Sequence, residues 1–172
     1  MDKITRNQGM EITSGAALVS EACIRGWKIC VAESCTGGLA GALLTESEGS
    51  SRAFVGGAVC YSNEAKIRVL GVDPGIIERF GAVSGECALA MARGAIKLFG
   101  ADVAGAITGV AGPGGGSKIK PVGLVWFCVT FPGGEKVFHR ILGGQRADVR
   151  RCAADLLVET MLDMVGGDPS EG

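Results

Sequence analysis

The chain carries one histidine and one tyrosine among 172 residues, and aromatic residues make up only 5 % of it. A lone His139 excludes a zinc site built on several imidazoles. Seven cysteines sit at 23, 30, 35, 60, 87, 128 and 152, an odd number with no C-x-x-C pair. That scatter excludes a paired-cysteine metal ribbon and a disulfide framework, and it fits reduced, mostly buried thiols in a cytoplasm. Charge of one sign is missing too: 17 basic residues face 18 acidic ones, for a net charge of −1. The basic face or tail expected of a nucleic-acid or membrane-surface binder is therefore absent from the composition. No apolar run approaches the roughly 18 residues of a membrane span. Met1-Asp2-Lys3 leads into polar residues, and Glu11 and Glu21 interrupt the next apolar stretch, which is not the pattern of a signal peptide.

Glycine is what the chain has in excess. It accounts for 29 residues, more than twice the usual share of about 7 %. The glycines keep no three-residue period, so this is not collagen. At 47 % hydrophobic residues, the chain has enough apolar surface to fold. Its length fits a single domain over 1–172, with an ordered core over about 11–165.

Residues 1–10 are polar and read as loose. Apolar spacing predicts a helix over Thr13–Arg25 that stops at Gly26. Trp27–Ala32 reads as a strand, Leu39–Thr45 as a helix, Gly57–Ser62 as a second strand and Asn63–Leu70 as a short helix. Asp73-Pro74 opens another helix, and Ser84 caps a long one running to Phe99. Val103–Thr108 is a third strand. Leu124–Phe131 and Lys136–Leu142 flank Pro132-Gly133-Gly134 as a hairpin. Arg146–Val165 is a closing helix, and Gly166–Gly172 reads as a disordered tail. The order implies a three-layer α/β/α sandwich around a mixed, mostly parallel sheet of about five strands, because the hairpin excludes a wholly parallel one.

Ser34 falls between a predicted strand and a helix and is followed by Cys35-Thr36-Gly37-Gly38. It suits a nucleophile beside an oxyanion hole, a phosphate cradle, or simple capping of the helix by Ser34 and Thr36. A nucleophilic serine needs a base. His139 lies in a hairpin strand with nothing to orient it. Lys66, with Tyr61 at a strand end, is a second candidate, against the default of a solvated lysine and a half-buried tyrosine. The stretch Thr108-Gly109-Val110-Ala111-Gly112-Pro113-Gly114-Gly115-Gly116-Ser117 is neither a Walker loop nor a dinucleotide fingerprint, since it lacks a Lys-Ser/Thr ending and no helix follows. It reads as a loop at a strand end whose backbone comes close to a ligand, or else as a plain connector. Arg146 and Arg150, one turn apart, suit a shared anionic ligand or surface salt bridges. If the glycine excess serves one site, the clusters at Gly37-Gly38 and Gly109–Gly116 meet over one pocket with Ser34 at its floor.

Taken together, Ala32-Glu33-Ser34-Cys35-Thr36-Gly37-Gly38, Tyr61-Ser62-Asn63-Glu64-Ala65-Lys66, Gly81-Ala82-Val83-Ser84, the Thr108–Ser117 stretch and Lys120-Pro121-Val122-Gly123 resemble the CinA C-terminal domain family. The likeness runs from about Thr13 to Val165, and the chain looks like a stand-alone form without the large N-terminal domain of full-length CinA. The resemblance implies hydrolysis of nicotinamide mononucleotide to nicotinate mononucleotide and ammonia, without metal or cofactor. It implies Ser34 as nucleophile and Tyr61 and Lys66 as its activating partners. Thr36, Gly37, Gly38, Thr108 and Gly109 would line the site, and Arg146 would contact substrate. The family often has an aspartate before that arginine, where this chain has Gln145. A nucleotide-sized small molecule is the implied partner, with no nucleic acid or membrane, and a homo-oligomer, first of all a dimer, is the implied assembly. Two other classes fit the same residues: a non-catalytic nucleotide-binding or regulatory module, and a hydrolase of a different amide.

Overall fold

The computed structural model describes residues 13–167, so the expectations for residues 1–10 and for the tail beyond 167 lie outside the described residues. The helices start where the sequence supplies an acceptor for their unpaired N–H groups. Thr13 caps α1 (Ser14–Arg25), Ser62 caps α3 (Asn63–Leu70) and Ser84 caps α5 (Gly85–Phe99). Asp73 caps α4 (Pro74–Phe80), with proline at its first turn. Gly26, Gly71 and Gly100 then stop α1, α3 and α5 in the left-handed conformation. α2 (Leu39–Thr45) is the exception, because Gly38 precedes it and offers no side chain. α6 (Arg146–Gly166) closes the described chain.

Five strands, β1 (Ile29–Glu33), β2 (Phe54–Val59), β3 (Val103–Gly109), β4 (Leu124–Phe131) and β5 (Gly134–Ile141), form one sheet in the order β2-β1-β3-β4-β5. β1 pairs in parallel with β2 and β3, whereas β3–β4 and β4–β5 are antiparallel. Two successive reversals bring β5 back to the direction of β3, so every strand except β4 points the same way.

Strand alternation sorts side chains to the two faces. Ile29, Val31, Val103, Ile107, Phe127 and Val129 pack with Leu18, Leu44, Leu157 and Met161 under α1, α2 and α6. Cys30, Ala32, Ala104, Ala106 and Cys128 face Ala88, Met91, Ala92 and Ala95 of α5 and Leu70 of α3. The result is the three-layer sandwich over a mixed, mostly parallel sheet. The second face is made of small residues, which lets α5 lie close to the sheet.

The second strand lies about three residues earlier than Gly57–Ser62. The glycines there serve packing rather than turning: a Cβ on Gly57 would lie 2.6 Å from Val31 Cγ2. The register of β2 against β1 shifts by one residue between the Ile29–Phe54 and Cys30–Gly56 pairs. In consequence Tyr61 sits beyond the end of β2 rather than within it. β1, β2 and β3 all end at one edge, with Glu33 paired to Val59 on one side and Ile107 on the other. Crevices outside the carboxyl ends of such strands are where α/β sheets usually hold ligands.

Gly94 on α5 makes the closest helix crossing, because a Cβ there would run into the backbone carbonyl of Leu70. Glycine to alanine inside a helix ordinarily stabilises by roughly 0.5–1 kcal/mol. Here the sign reverses. Gly94→Ala should lower stability by about 1–3 kcal/mol, the usual cost of overpacking, read as a lower urea midpoint. Gly143→Ala, where nothing lies within 4 Å, should leave that midpoint nearly unchanged.

Candidate active site

Ser34 is held at the sheet edge by ladders that outlast β1 by one residue. Its N–H donates to the Ile107 carbonyl at 3.0 Å, and the Cys60 N–H donates to the Glu33 carbonyl at 2.8 Å. The residue is 7 % exposed. Lys66 reaches it from α3, where Lys66 and Leu70, one turn apart, form the buried face while Glu64 and Arg68 face solvent and pair with each other. Lys66 is 1 % exposed. Its Nζ donates to Ser34 Oγ at 2.9 Å, to the Cys60 carbonyl at 2.8 Å and to the Tyr61 carbonyl at 3.3 Å. Among the described residues no carboxylate forms an ion pair with it. Burial without a counterion holds the Lys66 ammonium below its ordinary pKa of 10.5. A lysine held in this way can serve as a base.

A cavity of about 250 Å³ opens above this pair, walled by Ser34, Tyr61, Lys66, Thr108 and Arg146 together with backbone of the Gly109–Gly115 loop. Thr108 Oγ1 donates to the Ala82 carbonyl at 2.7 Å, tying the end of β3 to the segment before α5. Arg146, at the start of α6, donates to the Gly112 carbonyl at 2.7 Å and to Tyr61 Oη at 2.8 Å. The phenol of Tyr61 thus meets Arg146, while its carbonyl meets Lys66. Gln145 does not hold Arg146; its own N–H donates to Asp148 Oδ2 at 2.8 Å in the first turn of α6. The wall carries a lysine and an arginine and no carboxylate, a charge balance that favours an anionic ligand. Cys35 also borders the cavity, but burial pushes its thiol up to about 11. It stays protonated at neutral pH and does not compete with Ser34 as a nucleophile.

The turn after Ser34 is built differently from the expectation. Neither Ser34 nor Thr36 caps α2. That role falls to Glu33, 1 % exposed, whose carboxylate accepts from the N–H groups of Gly38 at 2.9 Å, Ala40 at 3.2 Å and Gly41 at 2.9 Å. Gly37 N–H donates back to the Ser34 carbonyl at 3.2 Å. Gly109 belongs to the cavity wall, but Thr36, Gly37 and Gly38 do not. Only one of the two glycine clusters therefore lines the pocket. Thr36 Oγ1 is buried with no hydrogen-bond partner among the described residues. Arg150 does not join Arg146 on a shared ligand site. It turns toward the Ser34 turn, donating to the carbonyls of Cys35 at 3.1 Å and Thr36 at 2.7 Å. His139 packs its ring 4.6 Å from that of Trp126 on the exposed β5 edge, away from Ser34. No group of three metal-ligating side chains occurs among the described residues.

Sequence reasoning passed over Glu33 and Asn63, the latter of which borders the cavity, and it set Arg150 beside Arg146 rather than on the Ser34 turn. One signal for Glu33 was present: a short helix preceded by Gly-Gly has no cap of its own, and a carboxylate five residues earlier can supply one. Nothing local points Arg150 to the Ser34 turn, because its partners there lie more than 110 residues away.

The family described as the CinA C-terminal domain matches residues 13–165. A CinA-like protein of Mycobacterium marinum is 56 % identical over 124 residues, covering 72 % of this chain and 29 % of its own length. A CinA-like protein of Mycobacterium tuberculosis is 47 % identical over 147 residues, covering 85 % and 34 %. The chain thus spans about a third of the length of these curated relatives. Among solved structures, the competence/damage inducible protein CihA from Agrobacterium tumefaciens is 39 % identical with a TM-score of 0.83, over 90 % of this chain and 94 % of that one. A CinA superfamily protein from Klebsiella pneumoniae is 33 % identical with a TM-score of 0.85, over 89 % and 96 %. The chain belongs to the CinA C-terminal domain family.

Proposed function

We propose that this chain is a serine amidohydrolase that converts nicotinamide mononucleotide to nicotinate mononucleotide and ammonia. The observation that carries the reading is the buried Lys66 amino group, without a carboxylate partner, 2.9 Å from Ser34 Oγ. Two of its acceptors, the Cys60 and Tyr61 carbonyls, are fixed backbone. In the neutral amine they keep the two N–H groups and leave the lone pair facing the Ser34 hydroxyl. Ser34 Oγ attacks the carboxamide carbon and its proton passes to Lys66 Nζ. The tetrahedral oxyanion is held by backbone N–H groups. Collapse breaks the C–N bond, and the proton on Lys66 goes to the departing ammonia. Water then attacks the acyl-serine with Lys66 again as base, releasing the carboxylic acid and restoring Ser34.

The substrate suits the cavity for electrostatic reasons. Its phosphate is an anion for a wall that carries no carboxylate, and Arg146 is the cationic side chain placed to take it. Its pyridinium makes the carboxamide carbon more electrophilic, and its positive charge lowers the Lys66 pKa further. Tyr61 contributes twice in this scheme, with its carbonyl to Lys66 and with its phenol to Arg146.

An ammonia-release assay with nicotinamide mononucleotide tests the reading. The parent should turn over, and Ser34→Ala and Lys66→Ala should each lose at least about 10³-fold in kcat. Variants that both match the parent rate would overturn the assignment. A parent that binds the nucleotide by calorimetry yet releases no ammonia would make the chain a binding module instead. A second prediction follows from the protonation of Lys66. Burial disfavours its charged form, so between the lowered folded pKa and 10.5 the unfolded chain binds more protons than the folded one. Stability contributed at this site therefore rises with pH through that window. Melting temperatures measured from neutral pH upward should show the parent gaining on Lys66→Met, and kcat should rise along a limb that sits below 10.5.

A further inference from the structure

We infer that Arg150 is a positioning residue of the Ser34 centre, whose guanidinium fixes the Cys35 and Thr36 carbonyls and so holds Cys35, the residue after the nucleophile, with its N–H at the cavity wall. The inference rests on the reading of Ser34 as the nucleophile, but not on the identity of the substrate. Its guanidinium spans two successive carbonyls, with Nε on Cys35 O at 3.1 Å and Nη2 on Thr36 O at 2.7 Å. A peptide unit is planar and trans. Holding the Cys35 carbonyl therefore fixes the whole plane that joins Cys35 to Thr36, and with it the backbone on one side of the Cys35 N–H.

The amides of this turn can be accounted for one by one. Ser34 N–H goes to Ile107, Gly37 N–H to the Ser34 carbonyl, and those of Gly38, Ala40 and Gly41 to acceptors on Glu33. Among the described residues no acceptor takes the N–H groups of Cys35, Thr36 and Leu39. Of these three residues only Cys35 borders the cavity, and it directly follows the nucleophile, the place from which serine hydrolases commonly draw an oxyanion donor.

Two opposite charges thus grip the turn by opposite ends of its peptides. The Glu33 carboxylate holds N–H groups, and the Arg150 guanidinium holds carbonyls. Gly37 supplies a separate observation. It adopts φ +62°, and a Cβ there would lie 3.2 Å from Arg150 Nη2. The turn therefore has glycine where a side chain would press on the guanidinium. Gly37 is outside the cavity wall, and room for Arg150 is the purpose the geometry gives it.

Covalent labelling of Ser34 by an alkyl fluorophosphonate tests this without depending on the natural substrate. Ser34 Oγ bonds to phosphorus, fluoride leaves, and the rate is read by intact mass. Arg150→Met should label roughly 10²-fold more slowly than the parent, the cost typical of losing an oxyanion donor, while its thermal melt stays cooperative. Arg150→Lys should recover part of the rate, because a lysine ammonium can hold one carbonyl but not both. Arg151→Met, at the exposed neighbouring residue, should label at the parent rate. Equal labelling of the parent and Arg150→Met would overturn the positioning role and leave the nucleophile standing. So would a loss in Arg150→Met that matches its unfolded fraction and is not recovered by lysine. A parent that does not label at all would overturn the nucleophile reading, and this inference with it.

Discussion

Lys66 is an amino group sealed in a protein wall with only uncharged acceptors around it. A carboxylate beside it would hold it protonated and make it a poor base; bulk water would do the same. Instead it meets one hydroxyl and two backbone carbonyls. Each of those acceptors comes from a different consequence of the fold. Ser34 is available because β1 ends at Glu33 between two longer-reaching ladders. The Cys60 and Tyr61 carbonyls are available because β2 stops at Val59 and the chain turns into α3 through the Ser62 cap. The depth of Lys66 is set by α3 lying against α5, whose small residues allow close packing.

The cavity above that pair is assembled by long-range ties rather than by any one segment. Thr108 links the end of β3 to Ala82, Arg146 links α6 to the glycine loop and to Tyr61, and Arg150 links α6 to the Ser34 turn. The final helix therefore supports the site from two consecutive turns. The first of its arginines faces the cavity, and the second faces the peptides that carry the nucleophile.

Much of the fold could be read from local chemistry. Thr13, Ser62, Asp73 and Ser84 announce helix starts, and Gly26, Gly71 and Gly100 announce stops, because capping is decided within a few residues. The candidate pair Ser34 and Lys66 could be picked out but not joined. Spacing alone favours a solvated lysine, and only the packing of α3 on α5 removes the water. The start of β2 is missed because Gly56 looks like a turn residue, whereas Gly56 and Gly57 make room for Phe99 and Val31 inside the strand. The role of Glu33 and the partners of Arg150 are not legible, because both side chains hold backbone groups, which leave no trace in side-chain pattern. The glycine excess divides in the same way. One cluster lines the cavity, and Gly37 accommodates an arginine on the other side of the turn.

The account depends on Lys66 being able to shed its proton while bound to Ser34. A 13C titration of the lysine ε-carbons, with Lys66 assigned through Lys66→Met, measures this directly. The account predicts that the Lys66 signal titrates below the ordinary 10.5, and that Ser34→Ala moves its midpoint by removing one of its three partners. A Lys66 signal that titrates at or above 10.5 would leave Ser34 without a base and contradict the account.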